Sequence, residues 1–331
     1  MNAIGPALVA LVLIAASLGG PGLIRAAAPL LMRIPRTAIL LLTGGLLLWL
    51  PAVASLSLMT AWLVTGPSLL PTPLADVCQQ CLDAANPFAA ATVDTAFPVL
   101  LLLFLPALAL LTLIGVGVPR WMRRVRATRS AAHSVSDRAR STYIDGYRVL
   151  LLHDQRRLAF SLPPRSGGIV VSDALCEALE PDELAAVLAH EHAHLRQRHH
   201  LVLTVLDTVA WPLRRVPLIS AIVDAVPHYL EIAADNAARS HAGTPALASA
   251  LLELGAPDSD LSDPSGYPIA GTVLHATGPD RIGHIVAPAP IRSAVVPMSV
   301  LGIQLALFAI VAAAVHGPYL RVALAGCGLS T

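Results

Sequence analysis

The sequence predicts a membrane α-helical protein with about four transmembrane helices and one mainly helical aqueous domain that contains a small sheet. The chain of 331 residues is 55% hydrophobic and only 13% charged, and its mean hydropathy is +0.68. These values are too apolar for a soluble domain and fit a membrane protein. The net charge of +1 provides no global field that would attract nucleic acid, so direct nucleic-acid binding is not expected.

Four apolar stretches carry no charged side chain and are candidates to cross a bilayer. The first is expected at about Ile4–Leu18, and an extension to Ile24 past the Gly19–Gly22 break stays open. A cleaved signal peptide is the alternative for this stretch, although it lacks the basic start of such a signal. The other three are Thr37–Val64 with a kink at Pro51, Ala96–Val118 and Ser293–His316.

The arginines predict the orientation of these spans. Arginines follow the first span and the third span, whereas the loop at about 66–95 contains no basic residue. By the positive-inside rule, the N-terminus lies outside and the region after the third span is cytoplasmic. We therefore expect three spans with an extracytoplasmic loop in residues 1–118, a cytoplasmic domain in 119–292, and a fourth span with a short extracytoplasmic tail in 293–331.

Lysine and cysteine usage limits the chemistry. All 22 basic residues are Arg, which excludes any mechanism that needs a lysine amine. Cys78 and Cys81 fall in the predicted extracytoplasmic loop, where a disulfide is permitted. We favour a structural or incidental role for this pair over a redox-sensing one, because no fold signal accompanies it.

The stretch His190-Glu191-His192-Ala193-His194 has the H-E-x-x-H pattern of zinc peptidases. On a helix, His190 and His194 lie one turn apart, so both imidazoles can bind one metal ion. Glu191 lies beside them, where a carboxylate can act as a general base. The alternative is a histidine-rich, metal-sticky tract, since His199 and His200 follow closely.

A second stretch supplies the remaining expected ligand. Glu231 and Asp235 are four residues apart on a predicted Ala-rich helix, which is unlike a solvated face. A catalytic zinc bound by two His needs a third protein ligand, and His₂Glu is one of the standard sets. We assign Glu231 as that ligand and Asp235 as the carboxylate that orients a ligand imidazole. Their alternatives are a helix-dipole acid and an unrelated surface Asp.

The aqueous domain around the motif has a simple predicted order. Residues Ala127–Arg140 are expected to be a helical juxtamembrane segment. Short apolar runs then predict three strands of a small sheet, at Arg148–Leu152, Leu158–Leu162 and Gly168–Ser172. Helices follow at Asp173–Leu179 and from Pro181 to about His200, with a continuation to Ala210 left open. The apolar run Leu218–Val226 is too short to span and is expected to pack in the core or lie at the bilayer surface.

The segments HEHAHLRQRHH and EIAADNAA resemble the gluzincin H-E-x-x-H … E-x-x-x-D arrangement, and residues 158–199 resemble the BlaR/MecR-type integral-membrane metallopeptidases. HtpX-type and CAAX prenyl proteases are more distant relatives with the same ligand pattern. The resemblance covers about Tyr147–Arg239 and implies a gluzincin-like metalloprotease domain. It also implies one zinc ion on His190, His194 and Glu231, with Glu191 as the base.

The resemblance implies two further features of the domain. A strand at Ala159-Phe160-Ser161 would be an edge to which substrate adds by strand pairing, and Asp280–Ile282 is similar to a later family helix. The antibiotic-sensing relatives carry a penicillin-binding domain after the last span, whereas only Gly317–Thr331 follows here. Direct beta-lactam sensing is therefore not expected.

Three functions are compatible with these residues. The first is a membrane zinc endopeptidase whose cytoplasmic site cleaves a transcriptional repressor, itself, or both, in a signalling pathway. The second is a quality-control protease that acts on many misfolded membrane proteins. The third is a receptor or scaffold with structural zinc, which the presence of Glu191 disfavours because a structural site needs no base. The expected partners are a peptide or protein substrate and the lipid bilayer.

Overall fold

The structure of the chain is a computed structural model that describes residues 4–86, 92–255 and 294–325. The described residues are mostly helical, with one four-stranded sheet and one pair of two-residue strands. The stretch Leu254–Tyr267, whose Asp, Ser, Pro and Gly residues are typical of a loop, lies almost wholly outside the described residues, and the helix expected at Asp280–Ile282 lies entirely outside them. The final residues of the expected C-terminal tail also lie outside them.

Among the described residues, four helices are long and apolar enough to cross a membrane, as the sequence predicts. They are α1 (Ile4–Leu31), α2 (Pro35–Ala61), α4 (Val99–Ser136) and α10 (Val295–Ala325). Helix α1 continues well past the predicted end at Leu18 because its Gly–Pro break does not interrupt the helix. Gly20 packs directly against Leu218, so the absence of a side chain permits close approach of a second helix at this point.

The loop between the second and third spans contains structure that the sequence did not predict. Helix α3 (Thr72–Ala85) lies between two short strands, β1 (Val64–Thr65) and β2 (Val93–Asp94), which pair in parallel. Cys78 is a free thiol, so the permitted disulfide between Cys78 and Cys81 is not formed.

The sheet of the aqueous domain has the strand order β3-β4-β6-β5. Its strands are β3 (Ala139–Ile144), β4 (Tyr147–Leu152), β5 (Ala159–Ser161) and β6 (Ile169–Ser172). Strands β4, β5 and β6 confirm the three predicted strands. Strand β3 was not predicted. It is joined to β4 by Asp145 and Gly146, which both have positive φ, at 47° and 76°. That pair forms the type of two-residue turn that favours an antiparallel hairpin.

The helices after the sheet carry the H-E-x-x-H motif and the downstream acids. They are α5 (Asp173–Ala178), α6 (Pro181–Arg196), α7 (His199–Ala210), α8 (Pro217–Ala242) and α9 (Thr244–Gly255). The start of α6 is fixed by a capping box between Glu180 and Glu183. The expectation that this helix runs to His200 is wrong, since it ends at Arg196. Arg198 then adopts a left-handed conformation with φ 54°, and the chain turns before α7 begins.

Helix α8 joins the aqueous domain to the membrane spans. Its first half buries Leu218, Ile219, Ile222 and Val226 in one apolar cluster with residues of α1 and α2. The run Leu218–Val226 therefore packs in the core, the first of its two expected positions. Burial of these aliphatic side chains stabilises the contact by about 1.5–3 kcal/mol each.

Helix α7 contacts the third span through charged groups at its end. Asp207 accepts two hydrogen bonds from Arg120, at 3.1 and 3.0 Å, and Arg124 lies 3.4 Å from the same carboxylate. The Arg120 guanidinium also stacks over the Trp211 ring at 4.6 Å. Part of the arginine cluster after the third span is thus used to attach α7 to α4.

Candidate metal centre

Two packed helices, α6 and α8, bring together three side chains with metal-binding atoms. The Nε2 atoms of His190 and His194 lie 3.1 Å apart. The Glu231 carboxylate faces both, with one oxygen 3.4 Å from His190 Nε2 and the other 3.5 Å from His194 Nε2. All the candidate ligand atoms lie within 4.8 Å of one another.

This donor set fits a zinc ion. Tetrahedral zinc bonds of about 2.0–2.1 Å place neighbouring ligand atoms about 3.3 Å apart, close to the separations found here. His190 and His194 are 1% and 5% exposed, so the site faces the protein interior as the sequence predicts. Two buried imidazole nitrogens and a carboxylate that converge on one point are the arrangement in which a cation binds most favourably.

Each imidazole also has a buried polar partner on its other nitrogen. Asp235, which is 3% exposed, places an oxygen 3.0 Å from His190 Nδ1. His199 Nδ1 lies 2.8 Å from His194 Nδ1, and His199 is itself buried. Such partners fix the tautomer and orientation of metal-binding histidines.

The sequence analysis did not identify His199 as part of the site. His199 was considered only as part of the alternative, a histidine-rich tract that binds metal non-specifically. The turn at Arg198 is what returns His199 to the face of His194, because an unbroken helix would place it elsewhere around the axis. The other nitrogen of His199, Nε2, lies 3.4 Å from Gln197 Oε1. This amide oxygen also accepts a hydrogen bond from Arg36 Nε at 3.1 Å.

Glu191 is buried beside the metal-binding atoms and is only 1% exposed. Burial raises the pKa of Glu191 to about 7. The nearby His190 and a hydrogen bond from Ser161 lower this pKa, whereas the Glu231 carboxylate raises it. Its Oε2 has no hydrogen-bond partner among the described residues. A carboxyl group with a pKa near neutrality and an unpaired oxygen can both accept and donate a proton.

Burial also acts on the three histidines, with different outcomes. It lowers the pKa of His194 to about 3, with a further contribution from His190. It likewise lowers the pKa of His199 to about 4. Burial also disfavours the cation of His190, but Asp235 and Glu231 more than offset this and raise the pKa of His190 to about 10. The two carboxylates thus strongly stabilise a positive charge at His190.

Strand β5 lies at an edge of the sheet beside α6. It pairs only with β6 among the described residues, in antiparallel register with Phe160 opposite Val170. Leu162 donates to Gly168, and Ser172 donates to Leu158. By the antiparallel alternation, the backbone N–H and C=O groups of Ala159 and Ser161 therefore point to the open edge.

Every residue predicted for the site falls within this one region of the structure. His190, Glu191, His194, Glu231 and Asp235 form a single buried cluster, and the predicted edge strand adjoins it through the Ser161–Glu191 contact.

Together, the spanning helices, the small sheet and the buried H-E-x-x-H helix define a membrane zinc metallopeptidase, a hydrolase that acts on peptide bonds. Residues 123–214 match the family model of peptidase family M48, so this part of the chain is similar to an M48 peptidase domain. The match includes His190, Glu191 and His194 but ends before Glu231 and Asp235. No solved structure matches the chain.

Proposed function

We propose that the chain is a membrane-embedded zinc endopeptidase in which His190, His194 and Glu231 hold one zinc ion and Glu191 is the general base. The observation that carries this proposal is the convergence of the two Nε2 atoms and the Glu231 carboxylate beside a buried, partly unpaired Glu191. Asp235 and His199 would hold the two imidazoles in the orientation that binds metal.

When bound, zinc supplies a Lewis acid that polarises the peptide carbonyl and activates a water at neutral pH. The Glu191 carboxylate takes one proton from the attacking water while the oxygen bonds to the carbonyl carbon. As the C–N bond breaks, Glu191 gives that proton to the leaving amine. The raised pKa of Glu191 suits both transfers, because a group near neutrality is neither too weak a base nor too weak an acid.

The open edge of β5 would align the substrate. An extended peptide that pairs with Ala159 and Ser161 adds a strand to the sheet through main-chain hydrogen bonds. Ser161 acts on the pKa of Glu191, which supports a position of this edge beside the proposed base. Main-chain pairing fixes the position of the peptide backbone relative to Glu191, and the neighbouring pockets determine which substrate side chains are accepted.

We further propose that the site faces the cytoplasm and cleaves a transcriptional repressor, the chain itself, or both. Arg33 lies between α1 and α2, Arg36 lies in the first turn of α2, and a further group of arginines follows the apolar part of α4 on the same side as the peptidase domain. By the positive-inside rule this side is cytoplasmic. The regulatory substrate is supported by the BlaR/MecR resemblance, and a quality-control protease would instead cleave many unrelated clients.

The test compares full-length wild type with Glu191→Gln, both purified in detergent and loaded with zinc. Zinc content is quantified, and cleavage of the chain and of candidate repressors is followed by mass spectrometry. We expect zinc in both proteins but cleavage only by wild type, with kcat lowered at least about 100-fold by loss of the base. Glu177→Gln, on the exposed face of α5, is the matched control and should cleave normally.

Two results would contradict the proposal. Cleavage by Glu191→Gln at the wild-type rate would remove Glu191 from the mechanism. Zinc in both proteins with no cleavage of any substrate by either would favour the scaffold with structural zinc.

A further inference from the structure

A series of polar contacts connects the candidate metal centre to the first turn of a candidate membrane span. His199 Nδ1 lies 2.8 Å from His194 Nδ1, and His199 Nε2 lies 3.4 Å from Gln197 Oε1. The same amide oxygen accepts a hydrogen bond of 3.1 Å from Arg36 Nε. Arg36 lies in the first turn of α2, one of the helices long and apolar enough to cross a membrane. Two side chains therefore connect this arginine to a candidate metal ligand.

The backbone around Gln197 holds these contacts in place. Gln197 directly follows α6, and its N–H donates to the carbonyl oxygen of Ala193 at 2.9 Å. The next residue, Arg198, is left-handed and turns the backbone so that the side chains of Gln197 and His199 meet. His199 is 2% exposed, Gln197 is partly buried, and Arg36 is exposed. The contacts thus run outward from the buried metal centre to the surface of the protein.

The proposed zinc site determines which nitrogen atoms donate along these contacts. His194 faces the other candidate ligands with Nε2, so a zinc-bound His194 carries its proton on Nδ1. His199 Nδ1 then accepts a hydrogen bond from it, because two ring nitrogens 2.8 Å apart need one donor and one acceptor. The proton of the neutral His199 ring is therefore on Nε2, which faces Gln197. An amide oxygen accepts a hydrogen bond from this N–H, whereas an amide NH₂ group cannot.

Arg36 determines which end of the Gln197 amide faces His199. An arginine nitrogen can only donate, so the amide atom beside Arg36 Nε is the oxygen. That oxygen is also the amide atom in contact with His199 Nε2. Without the arginine, the amide can rotate by half a turn and present its NH₂ group to His199 instead, because the two ends have nearly the same shape. The arginine thus selects the amide orientation that suits a zinc-bound His194.

We propose that Arg36 and Gln197 are positioning residues of the metal centre. Arg36 orients the Gln197 amide, and the amide oxygen holds His199 in the tautomer that accepts a hydrogen bond from His194. This inference rests on the zinc site proposed above and extends it by two residues. Partners that orient a ligand imidazole strengthen metal binding. The zinc affinity of the peptidase domain therefore depends on a side chain that belongs to a membrane span.

The charge of Arg36 has the opposite effect on zinc binding from the proposed orientation of the amide. A guanidinium repels a metal cation, so an arginine that acted only through its charge would strengthen zinc binding when it is removed. Loss of the amide orientation weakens zinc binding instead. The direction of the change in affinity therefore separates the two roles.

The experiment measures the zinc affinity of the full-length protein in detergent by titration against a competing chelator. Arg36→Met removes the donor, and Gln197→Met removes the acceptor. Gln197→Glu keeps an acceptor in either orientation, because both carboxylate oxygens accept hydrogen bonds. Arg196→Met is the matched control, since it removes an exposed guanidinium next to Gln197 at the end of α6. The thermal unfolding midpoint of each zinc-free protein verifies that it is folded.

Gln197→Met should weaken zinc binding about tenfold, and Arg36→Met should weaken it at least about threefold, because each removes support from the imidazole of His194. Arg196→Met should stay within about twofold of wild type. When Arg36→Met is combined with Gln197→Glu, it should no longer weaken zinc binding, because a carboxylate needs no partner to orient it. This rescue would not occur if Arg36 only stabilised the fold.

The proposal is overturned if wild type binds zinc and both Arg36→Met and Gln197→Met bind it within about twofold of wild type. That result would leave the zinc site itself intact. An equal loss for Arg36→Met with and without Gln197→Glu would also overturn it, as would an equal loss for Arg196→Met, because amide orientation would then have no part. Absence of zinc binding by wild type would instead refute the zinc site on which the inference rests.

Discussion

His199 shows how one backbone conformation determines the surroundings of a candidate metal ligand. The left-handed turn at Arg198 places the His199 ring against His194, with the two Nδ1 atoms 2.8 Å apart. His190 has its own partner in Asp235. The two imidazoles of the motif are therefore supported differently, one by a carboxylate and the other by a neutral ring whose pKa is lowered by burial.

At this scale we predict that His199→Ala weakens zinc binding about 10–100-fold, because His194 loses the group that fixes its ring orientation. The measurement is a zinc titration against a competing chelator in the full-length protein. His200→Ala removes the neighbouring histidine, which is neither one of the three candidate ligands nor the ring beside His194, and should leave the affinity unchanged. Equal affinity for His199→Ala and wild type would show that His194 needs no such support.

The sequence could predict which side chains the structure brings together at the candidate metal centre, but not the whole of their surroundings. The i, i+4 spacing of His190 with His194 and of Glu231 with Asp235 is local information, so each pair is recognisable before the fold is known. His199 depends on a positive φ at Arg198, a conformation that arginine rarely adopts and that no residue preference signals.

Among the elements, strand β5 combines a very short length with a position at the edge of the sheet. Its side chains are largely buried, so it is held firmly by packing although it pairs with a single neighbour. An edge that is short and backed by a core resists unwanted pairing and still offers hydrogen bonds to one extended chain. This combination is suited to a substrate that enters and leaves repeatedly.

We predict that Ser161→Pro lowers kcat/KM for a peptide substrate at least about tenfold, because proline removes a backbone N–H at the open edge. Peptide cleavage is measured with zinc-loaded full-length protein. Ser161→Ala is the matched control, since it removes only the hydroxyl next to Glu191 and keeps the N–H. Similar kcat/KM values for the two variants, at equal zinc content, would argue against strand pairing at this edge.

Local sequence patterns were sufficient to predict some strands of the sheet but not all of them. Strands β4 and β6 are apolar runs bounded by turn residues, and they form as predicted. Strand β3 is polar at most positions, so its apolar pattern is weak, and the Asp145-Gly146 turn is the stronger indication of a hairpin. The end of α6 at Arg196 had no such marker, because neither Gly nor Pro stands at the break.

In the molecule as a whole, α8 connects the spans to the metal centre. Its first half is buried against α1 and α2, and its second half carries Glu231 and Asp235. Gly20 is a point of close approach between α1 and α8, since a Cβ built there would overlap the side chain of Leu218, whose Cγ and Cβ would be only 3.3 and 3.4 Å from it. Packing between membrane helices of this kind depends on small residues at the contact.

We predict that Gly20→Val destabilises the protein by about 1–3 kcal/mol, because the new side chain overpacks the α1–α8 contact. It should also weaken zinc binding, since Glu231 lies on the displaced helix. The measurements are thermal unfolding in detergent and the chelator titration. Gly19→Val is the control, because a Cβ at Gly19 meets no atom within 4 Å among the described residues. An equal effect of both substitutions would show that the loss of stability arises within α1 and not at its contact with α8.

The orientation can be tested with the native cysteines. Cys78, in the loop between α2 and α4, is a free thiol, as is Cys176 in the peptidase domain. We predict that a membrane-impermeant maleimide labels Cys78 in intact cells, whereas Cys176 reacts only after permeabilisation, because the positive-inside rule places them on opposite sides. Cys78→Ser and Cys176→Ser assign the labels. Labelling of Cys176 in intact cells would reverse the proposed topology.

The course of α8 has a mechanical consequence. Between Leu218, held among the spans, and Glu231, held at the metal centre, the helix is about 20 Å long. Acting as a lever, it converts a tilt of about 3° at the buried end into a displacement of about 1 Å at the carboxylate. Misplacement on that scale can change a rate about 100-fold. The thickness and tension of the surrounding bilayer therefore belong among the variables expected to set the speed of peptide hydrolysis.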